Sequence, residues 1–214
     1  MAWVIDFILH IDTHLVEMIN TFGLGTYFLL FLVIFIETGL VVFPFLPGDS
    51  LLFAAGALTV AHGSSLNIFV VILTFITAAI LGDLMNYHIG KKIGTKIPEK
   101  GIISKVINQE KLDKAEAFFN KHGGKTIFIA RFMPFIRTFA PFVAGGSNMN
   151  ERAFLKYNVT GAIVWVLICT LFGYFFGNIP FVKDNFSLVA LGVIFVSLVP
   201  ILVGFIRGKM SKKA

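Results

Sequence analysis

A chain of 214 residues with 57% hydrophobic and only 14% charged side chains carries more apolar surface than a soluble domain of that length can hide. Its formal charge of +6 is laid out as a membrane topology would lay it out, which argues against a nucleic-acid partner. The single cysteine, Cys169, lies in an apolar run and excludes an internal disulfide or a thiolate metal cluster.

In chain order, residues 1–21 read as an interfacial helix, with Asp6, His10, Thr13, His14 and Glu17 along one face and apolar residues filling the rest. His10 and His14 have the i, i+4 spacing of metal ligands, but a wet polar face accounts for them, and no metal or other cofactor is expected. The start has no basic stretch, so no cleavable signal peptide is read there. Residues 24–61 are apolar but broken, because Pro44 and Pro47 remove amide donors and stop a helix near Val42. A span follows at 66–90. The loop at 91–125 holds half of the 18 Lys and Arg residues and includes a short amphipathic helix from Glu110 to Lys121, ended by "HGG" at 122–124. The stretch at 126–148 is broken again: Pro134 comes nine residues after Lys125, about 14 Å of helix, roughly half the bilayer core. Further spans lie at 159–178 and 186–206, before a basic tail at 207–214.

Positive charge marks the 91–125 loop and the tail as cytoplasmic. Three crossings from an exterior N-terminus satisfy this only if 24–61 and 126–148 enter and leave on the same side; a full span at 24–43 with a cytoplasmic N-terminus is the alternative and fits the charges less well. Such re-entrant hairpins are tolerated where protein or water satisfies the freed backbone groups. A shift of 90 residues matches Pro44 with Pro134, Phe45 with Phe135, Ala54 with Ala144 and Gly56 with Gly146, and "YHIG" at 87–90 is echoed by "YFFG" at 174–177. The expected fold is an all-α polytopic membrane protein. It has an inverted repeat with two opposed re-entrant hairpins, about three full transmembrane helices and the N-terminal interfacial helix. The hairpin tips fall at Pro44, Pro47, Gly48, Pro134 and Pro141. "GYFFG" at 173–177 suits helix packing more than self-association, although a homo-oligomer remains open.

Five charges remain at membrane depth: Glu37, Asp49, Asp83, Arg131 and Arg137. Each costs about 2.5–3.5 kcal/mol at the centre of a span, so they should face the interior and one another. Acids outnumber bases by one, leaving a carboxylate able to carry a proton. Glu37 and Asp49 sit on the first hairpin and Arg131 and Arg137 on the second, so facing hairpins bring all four together. Asp83 joins from the adjacent span, supported by Asn86 and Tyr87 on its face. An arginine fork binds phosphate in a bidentate way and stays charged. No nucleophile stands with a base at catalytic spacing, so enzymatic activity is not expected.

The segments "ETGLVVFPFLPGDSLLFAAGAL" at 37–58, "GDLMNYHIG" at 82–90, "KHGGKTIFIARFMPFIRTFAPFVAGG" at 121–146 and "GYFFG" at 173–177 closely resemble the bacterial DedA family. This family is a branch of the larger group that includes eukaryotic VTT-domain lipid scramblases. The resemblance implies a multi-pass inner-membrane protein with two opposed re-entrant hairpins, linked to recycling of undecaprenyl phosphate. It places the family's essential acids on Glu37 and Asp49 and its essential arginines on Arg131 and Arg137. The expected function is a flippase for that lipid or a related anionic lipid, coupled to protons. In it Arg131 and Arg137 hold the phosphate while Glu37, Asp49 and Asp83 exchange protons. A proton-coupled exporter of small cations or drugs, or a general phospholipid scramblase, is the alternative.

Overall fold

The computed structural model describes residues 22–40, 48–60, 66–93, 117, 119, 121–133, 136–177 and 179–180. Six helices lie among them: α1 (Gly25–Gly39), α2 (Gly48–Leu58), α3 (Ile68–Ile93), α4 (Lys125–Ala130), α5 (Ile136–Gly146) and α6 (Glu151–Phe176). The interfacial helix at 1–21, the span at 186–206, the basic tail, most of the 91–125 loop, and Pro44, Pro47 and Pro134 lie outside the described residues.

Helices α3 and α6, each 26 residues, are long and apolar enough to cross a bilayer. Phe69, Leu73, Leu81, Ile168, Phe172 and Phe175 are exposed on them, which water would not tolerate and lipid does. The chain is a membrane protein. Helix α3 starts on Asn67, whose Oδ1 accepts from Phe69 N at 2.9 Å, and ends on Lys91 and Lys92, three residues beyond the span read from the sequence. Helix α6 starts on Asn150, whose Oδ1 accepts from Arg152 N at 3.0 Å. That is eight residues before the expected span, because apolar content alone does not count Glu151, Arg152 and Lys156 as helix. Caps mark where a helix begins, and hydropathy marks only what it is immersed in.

Helices α1, α2, α4 and α5 have 15, 11, 6 and 11 residues, all short of the roughly 20 that span a membrane. Between α4 and α5 the chain tightens: the amides of Arg131, Phe132 and Met133 donate to carbonyls only three residues back. This stops α4 at Ala130. Pro141, expected at a tip, instead sits inside α5. Its missing amide is one that α5 loses beside the Arg137 carbonyl, and the helix continues to Gly146 regardless. The reading of "HGG" as a stop holds, since Gly123 has φ +61° and its amide closes on the Phe119 carbonyl at 2.7 Å.

The chain forms two compact units. The first contains α2, the start of α3 and the end of α6 from Leu167. Here α2 and α6 approach backbone to backbone: a Cβ on Gly56 would overlap the Thr170 carbonyl, and one on Gly173 the Phe53 carbonyl. The second contains α1 from Phe28, α3 from Leu73, α4, α5, and α6 to Val166. Here α3 and α5 meet in the same reciprocal way, Gly145 against the Tyr87 carbonyl and Gly90 against that of Phe142. The two contacts are offset by 89 residues, from Phe53 to Phe142 and Gly56 to Gly145.

The core of the second unit is built on Tyr87, Ile127, Ala130, Ala140, Ala144 and Phe154, with Phe139, Phe142 and Val143 alongside. Helix α1 crosses α3 where Gly39 and Gly82 meet, a Cβ on Gly39 coming within 3.3 Å of the Gly82 backbone. That close crossing sets Glu37 and Asp83, each one or two residues from its glycine, side by side.

Candidate functional site

Four charged side chains of the second unit meet in its interior. Glu37 comes from the last turn of α1, Asp83 from α3, Arg131 from the turn after α4, and Arg137 from the first turn of α5. They pair as Arg131 with Asp83 and Arg137 with Glu37, each through a direct guanidinium–carboxylate hydrogen bond. Side-chain exposure is 5% and 6% in the first pair, and 14% and 1% in the second. Water screens neither pair well, and an ion stripped of its partner here would be expensive.

The partners around them come from the turns that flank the glycine crossing. Asn86, one turn after Asp83, donates through Nδ2 to the Thr138 carbonyl at 2.8 Å and the Thr38 carbonyl at 3.4 Å. It thereby ties α1 and α5 to α3 next to both carboxylates. On α6, Asn158, Gly161 and Trp165 share one face. Asn158 accepts from the Arg131 guanidinium through Oδ1 and donates to the Ile80 carbonyl at 3.1 Å. Gly161 leaves room for the arginine, since a Cβ there would stand 2.9 Å from Arg131 Cδ. The ring of Trp165 lies under both cations, 5.9 Å from Arg131 Cζ and 5.4 Å from Arg137 Cζ.

Glu37, Thr38, Asp83, Arg131, Arg137, Thr138 and Trp165 line a small, partly open cavity of about 10 Å³, room for roughly one water molecule. The arrangement is charge-neutral, two acids against two bases, and what it can do is exchange. An incoming anion can take the arginines from the carboxylates, which then need protons to remain buried.

Of the residues read from the sequence, Glu37, Asp83, Arg131 and Arg137 are brought together and Asn86 braces them. Asp49 lies half-buried in the first turn of α2, in the first unit, next to the buried Gly48. The acid paired with Arg131 is Asp83, from α3. Tyr87 also falls outside the cavity: its hydroxyl donates to the Met149 carbonyl and its ring stacks on Phe154, 4.5 Å between centroids. It is a core residue that closes α3 against the start of α6. The sequence reading assigned no site role to Trp165, Gly161, Thr38 and Thr138, nor to Asn158. The i, i+3, i+7 spacing of Asn158, Gly161 and Trp165 on an apolar span was the available signal.

Residues 46–175 match the family model described as the VTT domain. Protein DedA of Escherichia coli strain K12 is 52% identical over 209 residues, 98% of this chain and 95% of that protein. A membrane protein of Mycobacterium leprae is 43% identical over 180 residues, covering 84% of this chain and 79% of its own length. The E. coli inner membrane protein YghB is 35% identical over 183 residues, 86% of this chain and 79% of YghB. No solved structure matches the chain. With a domain match over more than half its length and a relative this similar end to end, the chain belongs to the DedA family of VTT-domain membrane proteins.

Proposed function

We propose that the protein is a flippase for an anionic lipid, undecaprenyl phosphate or a relative of it, and works in the bacterial cytoplasmic membrane by exchanging buried carboxylates for a phosphate headgroup. The observation that carries this reading is the cluster itself: two guanidinium groups, each held by a buried carboxylate, facing one small cavity. Paired arginine forks suit the oxygens of a phosphate. Glu37 and Asp83 hold the forks while no headgroup is present. As the phosphate enters it takes both guanidiniums, and the released acids pick up protons so as not to face it as anions. Headgroup and protons are thus bound together by electrostatics, as coupled titrations. Asp49 serves as a further proton carrier on α2.

In the same proposal the short helices α1 and α2, and α4 and α5, form two re-entrant hairpins related as an inverted repeat. The repeated glycine contact at an offset of 89 residues supports this, as does the shortness of all four helices. The loop at 91–125 and the C-terminus face the cytoplasm, and the polyprenyl tail stays in lipid while only the headgroup is enclosed. Export of small cations fits less well, because both carboxylates of the cluster already hold arginines.

The test is movement of undecaprenyl phosphate between leaflets of proteoliposomes. Glu37→Gln and Arg137→Ala should fold and yet lower the flipping rate at least tenfold. Parental rates in both would remove the exchange mechanism.

A further inference from the structure

Trp165 is an unusual choice for a cavity wall. It is 4% exposed on α6, and an aliphatic residue would fill an apolar interior without concern for orientation. Two positive groups lie within 6 Å of its ring centroid. Like charges held close in a poorly screened interior repel, and that repulsion is masked only while Glu37 and Asp83 are present as anions. An aromatic face attracts both cations through its quadrupole. Unlike a carboxylate, it cannot be neutralised by a proton and does not compete with an anion for the guanidinium N–H groups. Its neighbours on the same face fit this role: Gly161 clears the path of the Arg131 side chain, and Asn158 holds the guanidinium from the side.

We propose that Trp165 is the positioning residue of the site: its ring is the platform on which Arg131 and Arg137 both stand, and it keeps them spaced as a pair when the carboxylates let go. The role in headgroup binding rests on the flippase reading above; the platform itself does not. On this account the arginines do not spread apart when Glu37 and Asp83 are protonated, and the headgroup meets a preformed two-fork clamp.

The experiment uses the full-length protein carrying Trp3→Phe, which leaves Trp165 as its sole tryptophan. Trp165 is replaced biosynthetically by mono-, di- and trifluorotryptophan, which weaken the ring quadrupole with little change in size. In the ligand-free protein in detergent, the melting temperature should fall stepwise with each fluorine. The steps should vanish when Arg131→Gln and Arg137→Gln are added. A melting temperature indifferent to fluorine, or steps that persist without the arginines, would overturn the platform. In the second arm dodecyl phosphate is titrated while Trp165 emission is followed. Its affinity should drop about two- to threefold per fluorine, which compounds to about eight- to twenty-sevenfold at three. Equal affinity across the series would show that the ring merely fills space, and would overturn the positioning role. If the parent shows no saturable binding of dodecyl phosphate while the ligand-free steps are present, the phosphate reading fails and the platform stands.

Discussion

The two ion pairs of the cluster are built from the same chemistry and held differently. Arg131 and Asp83 are both almost sealed, at 5% and 6% exposure, and Asn158 anchors the guanidinium to α6 and through Ile80 to α3. Arg137 reaches Glu37 across the space between α5 and α1 and keeps 14% of its side chain exposed. Burial of both partners makes the first pair part of the framework, because neither ion has water to turn to if the other leaves. Exposure of Arg137 gives the second pair a path to open. In the mechanism proposed, the Arg137–Glu37 pair opens first and the Arg131–Asp83 pair follows only once the headgroup is engaged.

The largest effect should come from Asp83→Asn, which leaves Arg131 charged and sealed. A loss of about 3–5 kcal/mol is expected in thermal or denaturant unfolding in detergent. Glu37→Gln should cost less, about 1–3 kcal/mol, because Arg137 can turn toward water. It should leave a folded but inactive transporter. Equal losses for the two variants would erase the distinction between framework pair and opening pair. Asn158→Leu sharpens it further. By removing the side anchor of Arg131 it should cost about 1–3 kcal/mol and make Asp83→Asn less damaging when the two are combined, as a double-mutant cycle would reveal. Smallest is Tyr87→Phe. It deletes the hydrogen bond to Met149 outside the cavity and should lower stability by about 1 kcal/mol without slowing flipping.

Much of this was legible before any coordinates, for a physical reason. A charge in an apolar segment is costly enough that its presence announces a partner, so Glu37, Asp83, Arg131 and Arg137 could be singled out by type alone. Which acid meets which base was not legible. That depends on where α1 crosses α3, and the crossing is set by the absence of side chains at Gly39 and Gly82. Counting charges put Asp83 in the set, but only the crossing of α1 and α3 shows that it is the acid that meets Arg131. Trp165 and Asn158 stayed hidden for the opposite reason. Neither is out of place in an apolar span, and only the position of Arg131 gives them work. Pro141 shows the limit of reading breakers one at a time: α5 runs through it from Ile136 to Gly146.

The central claim, that an anion takes the arginines while the acids take up protons, is tested most directly by infrared difference spectroscopy of the reconstituted protein on addition of dodecyl phosphate. The account predicts a new protonated-carboxyl stretching band, diminished in Glu37→Gln, together with proton uptake from the medium. Saturable binding of the alkyl phosphate with no such band and no proton uptake would contradict it.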